Sequence, residues 1–190
     1  MNKQHWIFDM DGTLTIPMHN FDQMKSVLGL PNEKPLLESA KDLPEPKREQ
    51  ALQKIADWEY DLATQAKASQ DAKALLEHLF HKGKHLAILT RNIRSLALIT
   101  LRAAGLIQFF DTDVVLGRDC APPKPSPQGV LAIIQHWNTT PEETVMVGDF
   151  HFDIEAGFKA GASTIQVLRT PTLIHSNATI VLKDLGDLIL

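Results

Sequence analysis

The hydrophobic positions of the chain form six short runs, separated by longer amphipathic stretches. The runs are largely apolar at successive positions and are bounded by polar residues or glycine. They cover residues 6–8, 86–89, 114–116, 145–147, 164–168 and 179–182. Runs of this kind are typical of strands that are buried on both faces, as in a parallel sheet. The pattern therefore predicts six strands of one buried sheet.

The stretches between the runs carry apolar residues at helical spacing. They predict helices over residues 71–82, 93–104, 126–137 and 153–160. Gly83, Gly105 and Gly161 follow three of these stretches, as expected of residues that end a helix. Because helices alternate with the predicted strands, we expect an α/β protein with a doubly wound, mainly parallel, Rossmann-like sheet.

A long insertion interrupts this alternation after the first predicted strand. Phe8 and Leu86 are separated by far more residues than one crossover helix requires. Between them, residues 21–28 and 52–66 keep helical spacing, and prolines punctuate the gap. We therefore predict a core of residues 1–16 and 70–190, with a small all-helical insert of residues 17–69 after the first strand.

Length, composition and charge exclude several classes of protein. The chain has 190 residues, of which 44% are hydrophobic, so it can bury a core without disulfide support. Its net charge of −4 argues against nucleic acid as a partner. Cys120 is the single cysteine, and no run approaches the ~18 apolar residues that span a bilayer. We expect a cytoplasmic protein with no membrane partner, and the sequence predicts no particular oligomeric state.

Polar residues follow the predicted strands where an α/β sheet binds its ligands. In such sheets, ligands lie just outside the carboxyl ends of the strands. The candidate site residues at these ends are Asp9, Asp11, Thr90, Arg91, Asn92, Asp149 and Asp153, and Lys124 lies just ahead of a predicted helix. The sequence therefore brings acidic, hydroxyl and cationic groups to one edge of the sheet.

The acidic residues at this edge require a cation. Two carboxylates at roughly 4 Å repel each other by up to about 4 kcal/mol at an effective dielectric near 20. Mg²⁺ prefers oxygen ligands and commonly binds one or two carboxylates together with a substrate phosphate. Lys124 supplies a second positive charge and Thr90 a hydroxyl group. We therefore predict a phosphoryl-binding site that uses Mg²⁺, with a small phosphorylated metabolite as the partner.

Asp9 and Asp11 are the candidates for the chemical step. Residues i and i+2 of a strand share a face, so we expect the two carboxylates on the same side. One can attack phosphorus to form an aspartyl-phosphate, while the other transfers the proton. Arg91 follows Thr90 and is a further candidate for phosphate binding, whereas Asn92 either contacts phosphate or caps the next helix. His19 lies where the chain enters the insert and is a candidate for substrate contact.

Four segments together resemble the motifs of the haloacid dehalogenase superfamily. They read DMDGT, LTRN, KPSP and GDFHFD, in that order. The resemblance implies that Asp9 is the nucleophile and Asp11 the general acid and base. It also implies that Thr90 and Lys124 anchor the phosphate, and that the metal is bound by Asp9, the backbone carbonyl of Asp11 and Asp149, with support from Asp153. The insert resembles the helical cap of the subfamily that contains phosphoglycolate phosphatase and β-phosphoglucomutase.

The expected function is a Mg²⁺-dependent phosphatase that acts on a small phosphomonoester. A phosphosugar mutase is the alternative, because it would use the same two carboxylates. A dehalogenase is disfavoured, since it needs neither a metal nor a carboxylate that protonates an alkoxide. A phospho-accepting signalling module also gathers Asp, Thr, Lys and a metal, but it has no use for Asp11 or for an insert over its site.

Overall fold

Six parallel strands form one sheet in the computed structural model, which describes residues 3–18, 20–169 and 173–189. The strands are β1 (His5–Phe8), β2 (His85–Leu89), β3 (Val115–Leu116), β4 (Thr144–Gly148), β5 (Ser163–Val167) and β6 (Ile180–Leu182). Their order across the sheet is β3-β2-β1-β4-β5-β6, and every neighbouring pair is parallel. The predicted α/β class and doubly wound sheet are confirmed, and the sheet is wholly rather than mainly parallel.

Seven α-helices connect the strands within the part of the chain that the structure describes. They are α1 (Phe21–Leu28), α2 (Leu36–Lys41), α3 (Lys47–Gln65), α4 (Gln70–His81), α5 (Arg94–Ala103), α6 (Gln128–His136) and α7 (His151–Lys159). The sequence pattern did not predict α2, because prolines surround it. Pro35 is the N-cap residue of α2, a position where the missing N–H of proline costs little. No helix in the described residues has the length and apolar content that crossing a membrane requires.

The sheet is covered by helices on both faces, which explains its continuous apolar strands. Side chains of a strand alternate between faces, so Trp6 and Phe8 pack on one side of β1 and Ile7 on the other. Trp6 and Phe8 belong to a cluster with α4 and α5, whereas Ile7 belongs to a cluster with α6 and α7. All four residues of β1 are buried, so this strand positions the residues that follow it on a rigid support.

The predicted insert is helical and has an apolar cluster of its own. Helices α1, α2 and α3 all lie between β1 and β2. The cluster consists of Met24, Leu30, Leu36, Ala40, Ala51 and Ile55. Helix α3 also packs along α5 of the core. A separate cluster supports the predicted division, although the boundaries at residues 17 and 69 stay a prediction.

The two connections between core and insert are hydrogen-bonded to each other. The backbone N–H of Ile16 donates to the carbonyl of Lys67 at 2.9 Å. The backbone N–H of Ser69 donates to the carbonyl of Leu14 at 3.0 Å. Because the chain leaves and re-enters the core at one place, the insert is attached to the core through a single paired hinge.

Arg169 and Asp71 form an ion pair beside this hinge. Arg169 Nη1 lies 2.7 Å from Asp71 Oδ2, and its Nη2 donates to Asp71 Oδ1 at 2.9 Å. The backbone N–H of Leu185 donates to Asp71 Oδ2 at 2.9 Å. Burial alone would raise the pKa of Asp71, but the hydrogen bonds from Arg169, Leu185 and Ser69 outweigh it and hold that pKa at about 2.

We expect Asp71→Asn to lower the free energy of unfolding by about 1 to 3 kcal/mol at neutral pH, because hydrogen bonds to a charged group are lost. The folded-state pKa of Asp71 lies below its ordinary value of 3.8, so the stabilisation is complete above pH 3.8 and is lost as the pH falls through 2. Urea denaturation should therefore show a smaller difference between variant and wild type near pH 2. An unchanged difference at the two pH values would contradict this prediction.

Candidate active site

The candidate site lies where the order of the strands reverses. Strands β1 and β4 are neighbours in space although β2 and β3 come between them in the chain. The register pairs Phe8 with Val147, so Asp9 and the Gly148-Asp149 segment leave the sheet side by side. A ligand of a doubly wound sheet binds in the crevice at this switch point. The strand-end residues predicted from the sequence therefore surround that crevice.

Lys124 joins Asp9 to Asp153 through two short ion pairs. Its Nζ lies 2.6 Å from Asp9 Oδ1 and 2.6 Å from Asp153 Oδ1, with all three residues buried. The other oxygen of Asp153 accepts the backbone N–H of Phe150 at 3.0 Å, next to the start of α7. Burial would lower the pKa of Lys124, but the charges of Asp153 and Asp9 outweigh it and raise that pKa. Lys124 is thus held as a cation with its ammonium beside the Asp9 carboxylate.

A tight turn brings Thr13 and Asp149 next to Asp9. Thr13 is buried, and its Oγ1 lies 3.0 Å from Asp149 Oδ1 and 3.3 Å from Asp9 Oδ2. Gly12 has a φ of 90°, and a Cβ at this position would lie 2.8 Å from Asp149 Oδ2. Only glycine fits this close approach without strain. Thr13 belongs to the DMDGT segment, but no role for its hydroxyl was predicted from the sequence.

Asp9 and Asp11 converge for a different reason from the one expected. Strand β1 ends at Phe8, so the alternation of strand side chains does not reach these residues. Instead, the backbone N–H groups of Leu14 and Thr15 both donate to the carbonyl of Met10 at 3.0 Å, which closes a turn after Asp9. The turn keeps Asp11 close enough for the charge of Asp9 to raise its pKa. The proximity of the two carboxylates therefore comes from the turn.

Negative charge exceeds positive charge at this site. Carboxylate oxygens of Asp9, Asp149 and Asp153 lie within 4.8 Å of one another. Burial, and then the charge of Asp9, raises the pKa of Asp11 to about 7. The same two causes raise the pKa of Asp149, and burial raises that of Asp153 against the opposing effect of Lys124. Lys124 offsets only part of this charge, so the buried acidic cluster is suited to a divalent metal ion.

A family model matches most of the chain, from a point just after the DMDGT segment. The model, described as haloacid dehalogenase-like hydrolase, matches residues 17–167. The chain belongs to the haloacid dehalogenase-like hydrolase family. The resemblance to the haloacid dehalogenase superfamily is thereby confirmed. The chain is a hydrolase of the phosphatase type.

Individual relatives agree with this family. A haloacid dehalogenase-like hydrolase domain-containing protein of Arabidopsis thaliana is 32% identical over 170 residues, covering 83% of this chain and 68% of its own length. Pyrophosphatase PpaX of Bacillus velezensis is 34% identical over 118 residues, covering 60% of this chain but only 54% of that protein. The crystal structure of a predicted phosphoglycolate phosphatase from Haemophilus somnus has a TM-score of 0.82 at 19% identity, covering 100% of this chain and 97% of that one. The TM-score of the last match shows a shared fold, and at 19% identity it shows the fold alone.

The segment after β2 of this hydrolase carries Thr90, Arg91 and Asn92. Thr90 and Asn92 are buried, and Thr90 Oγ1 accepts the backbone N–H of Asn92 at 3.1 Å, so its own hydroxyl proton stays available to a ligand. Arg91 is placed differently. Its side chain is 40% exposed, with Cζ 4.7 Å from the centre of the Phe152 ring and Nη2 3.9 Å from Glu38 Oε1. The structure therefore puts Arg91 at the rim of the site, with its side chain against Phe152 and Glu38. His19 lies outside the described residues.

A narrow cleft separates this site of the hydrolase from the insert. Asp11 and Asn92 line it from the core, while Glu59, Leu62 and Ala63 of α3 line it from the insert. The cavity has a volume of about 10 Å³, which is room for about one water molecule. In this arrangement of insert and core, the cleft itself is too small to hold a substrate.

Glu59 and Arg118 form an ion pair at the edge of the cleft, and neither residue was predicted from the sequence. The helical spacing of apolar residues in α3 could have indicated Glu59. Positions 51, 55, 59 and 63 of α3 lie on one face, and the other three positions hold the buried residues Ala51, Ile55 and Ala63. A carboxylate on an otherwise buried apolar stripe indicates a specific partner. Arg118 carries no comparable local signal.

Proposed function

We propose that the chain is a Mg²⁺-dependent phosphatase that hydrolyses a small phosphomonoester through an aspartyl-phosphate on Asp9. The observation that carries this proposal is the contrast between two neighbouring carboxyl groups. Asp9 is ion-paired with Lys124 at 2.6 Å, whereas the pKa of Asp11 is raised to about 7. Carboxyl groups whose environments differ in this way take the separate roles of nucleophile and acid.

The proposed reaction has two steps that use the same two residues. In the first, an Asp9 carboxylate oxygen bonds to phosphorus, the bond from phosphorus to the ester oxygen breaks, and protonated Asp11 gives its proton to the leaving oxygen. In the second, Asp11 takes a proton from water, the water oxygen bonds to phosphorus, and the bond to Asp9 breaks. The products are an alcohol and inorganic phosphate, and both aspartates return to their starting forms.

The groups around Asp9 fit a phosphoryl group. Lys124 supplies positive charge. The hydroxyl of Thr90 and the side-chain NH₂ of Asn92 supply hydrogen-bond donors from the end of the neighbouring strand. Phosphoryl transfer depends mostly on positioning and on electrostatic stabilisation. Arg91 at the rim would contact the phosphate only after its side chain moves from Phe152.

The donor set fits Mg²⁺. All the candidate ligands are oxygen atoms, and the raised pKa values of Asp11 and Asp149 show negative charge that a cation would offset. We propose that Asp9, Asp149 and the backbone carbonyl of Asp11 hold the ion, while Asp153 keeps Lys124 in place. When bound, the ion supplies positive charge to the phosphoryl oxygens.

The test is phosphate release from a panel of phosphomonoesters, measured with Mg²⁺ over many turnovers. We expect activity that is lost in excess chelator and restored by Mg²⁺. Ca²⁺ should restore it poorly, because this larger ion takes 6–8 oxygen ligands in flexible geometry, so both oxygens of Asp9 would be drawn to it. Full activity in chelator would remove the metal from the proposal. A single turnover without phosphate release would indicate a phospho-accepting module, and isomerisation of a sugar phosphate would indicate a mutase.

Inorganic pyrophosphate is a second candidate substrate. The observation that favours it is the match to pyrophosphatase PpaX, which is 34% identical over 118 residues. Pyrophosphate would present a phosphate as the leaving group instead of an alcohol, so adding pyrophosphate to the panel and comparing kcat/KM distinguishes the two candidates.

A further inference from the structure

The cleft beside Asp11 is the place for the leaving group, if the proposed function is right. A general acid must lie next to the oxygen that it protonates. Asp11 lines the cleft from the core, and α3 closes it from the opposite side. The part of the substrate beyond its ester oxygen must therefore pass between Asp11 and α3.

Glu59 and Arg118 hold each other firmly at the edge of this cleft. Arg118 Nη2 donates to Glu59 Oε2 at 3.0 Å, and Nη1 donates to Glu59 Oε1 at 3.3 Å. Nη1 also donates to the backbone carbonyl of Arg91 at 2.9 Å. The two side chains are only 24% and 14% exposed for Arg118 and Glu59, respectively. The Arg118 guanidinium is therefore hydrogen-bonded both to Glu59 and to the backbone of the segment after β2.

Among the described residues, the cleft lining offers a leaving group no free cation, because Arg118 is already paired with Glu59. Among the described residues that line it, Asp11 and Glu59 are acidic and none is lysine, arginine or histidine. The remaining lining includes Leu62 and Ala63, which are apolar, and Asn92, which is neutral. A carboxylate or second phosphate on the leaving group would therefore meet no cation among these described lining residues, and it would lie beside the Glu59 carboxylate.

We propose that the Glu59–Arg118 pair sets which leaving groups this hydrolase accepts. With the pair intact, the cleft favours a neutral, hydroxyl-bearing leaving group and rejects one that carries a carboxylate or a phosphate. The proposal rests on the proposed phosphatase function and names its substrate class as a phosphomonoester of an uncharged alcohol. It also ranks inorganic pyrophosphate below such an ester.

Two variants change the charge of the pair in opposite directions. Glu59→Gln leaves the Arg118 charge unpaired, and Arg118→Gln leaves the Glu59 charge unpaired. The probes are glycerol 3-phosphate, 3-phosphoglycerate and phosphoethanolamine, whose leaving groups are neutral, anionic and cationic. The measured quantity is the ratio of kcat/KM between substrates, because a general loss of activity cancels in that ratio.

The wild type should prefer glycerol 3-phosphate to 3-phosphoglycerate by about tenfold or more, as expected for a charge mismatch in a partly buried site. Glu59→Gln should lower that preference by about tenfold, and Arg118→Gln should raise the relative rate for phosphoethanolamine by a similar factor. Glu45→Gln is the matched control, since Glu45 also pairs with an arginine, Arg48 of the insert, at 2.6 Å, but the two side chains are 53% and 44% exposed and neither lines the cleft. Its ratios should equal those of the wild type.

Two outcomes would overturn this proposal while the proposed function stands. The first is equal loss of all three activities in both variants, which would show that the pair only holds the insert on the core. The second is a wild-type preference for 3-phosphoglycerate over glycerol 3-phosphate. Failure of the wild type to release phosphate from any ester in the wider panel would instead overturn the proposed function.

Discussion

Asp9→Asn should lower kcat/KM for every phosphomonoester by about 10⁴-fold or more and should abolish the covalent phosphoenzyme. The amide that replaces the carboxylate has almost the same shape but is a poor nucleophile. Rapid acid quenching with a radiolabelled substrate would measure the phosphoenzyme, and released phosphate would measure turnover.

The Asp9→Asn variant should keep its fold, because Lys124 keeps its ion pair with Asp153. Lys124 Nζ also lies 2.6 Å from Asp153 Oδ1, so the buried ammonium keeps one carboxylate partner when Asp9 loses its charge. Asp113→Asn is a matched control, since Asp113 is an exposed residue remote in sequence from the four motifs. Thermal unfolding of both variants would separate a lost nucleophile from a lost fold. Near-normal turnover in a folded Asp9→Asn protein would contradict the mechanism.

The centre of the sheet could be predicted from the sequence because strands such as β1 and β4 are buried on both faces. Such strands carry apolar residues at successive positions, and this pattern depends on burial alone. The predicted run at residues 145–147 lies within β4, and all five residues of β4 are buried. Helix α2 was missed for a local reason: it has only six residues, and prolines flank it on both sides.

The candidate site could be predicted only where its residues follow strands. Asp9 and Asp149 leave neighbouring parallel strands, so the topology places them together. By contrast, Glu59 and Arg118 lie 59 positions apart, on the predicted insert and on the core, and their contact depends on how α3 lies against the core. The convergence of Asp9 and Asp11 was expected from strand alternation, but it depends on the turn after β1, which the hydrophobic pattern does not describe.

Asp11→Asn should lower the rate for alkyl phosphates by about 10²- to 10⁴-fold, the usual contribution of a general acid. The effect should be smaller for aryl esters. A phenol has a pKa of about 10, whereas an alcohol is about as weak an acid as water, near 16, so an aryl leaving group departs without the proton. The raised pKa of Asp11, about 7, keeps part of this residue protonated near neutral pH, as the role of acid requires.

The second step gives this variant a signature that distinguishes it from Asp9→Asn. With an aryl ester, the first step still occurs, but no carboxylate takes the proton from the attacking water. The aspartyl-phosphate on Asp9 should therefore accumulate, and phenol should appear in a burst of about one equivalent per enzyme before slow steady turnover. Rapid-mixing absorbance would follow the burst, and acid quenching would measure the trapped phosphoenzyme. Equal rate losses for alkyl and aryl esters, with no burst, would mean that Asp11 transfers no proton in either step.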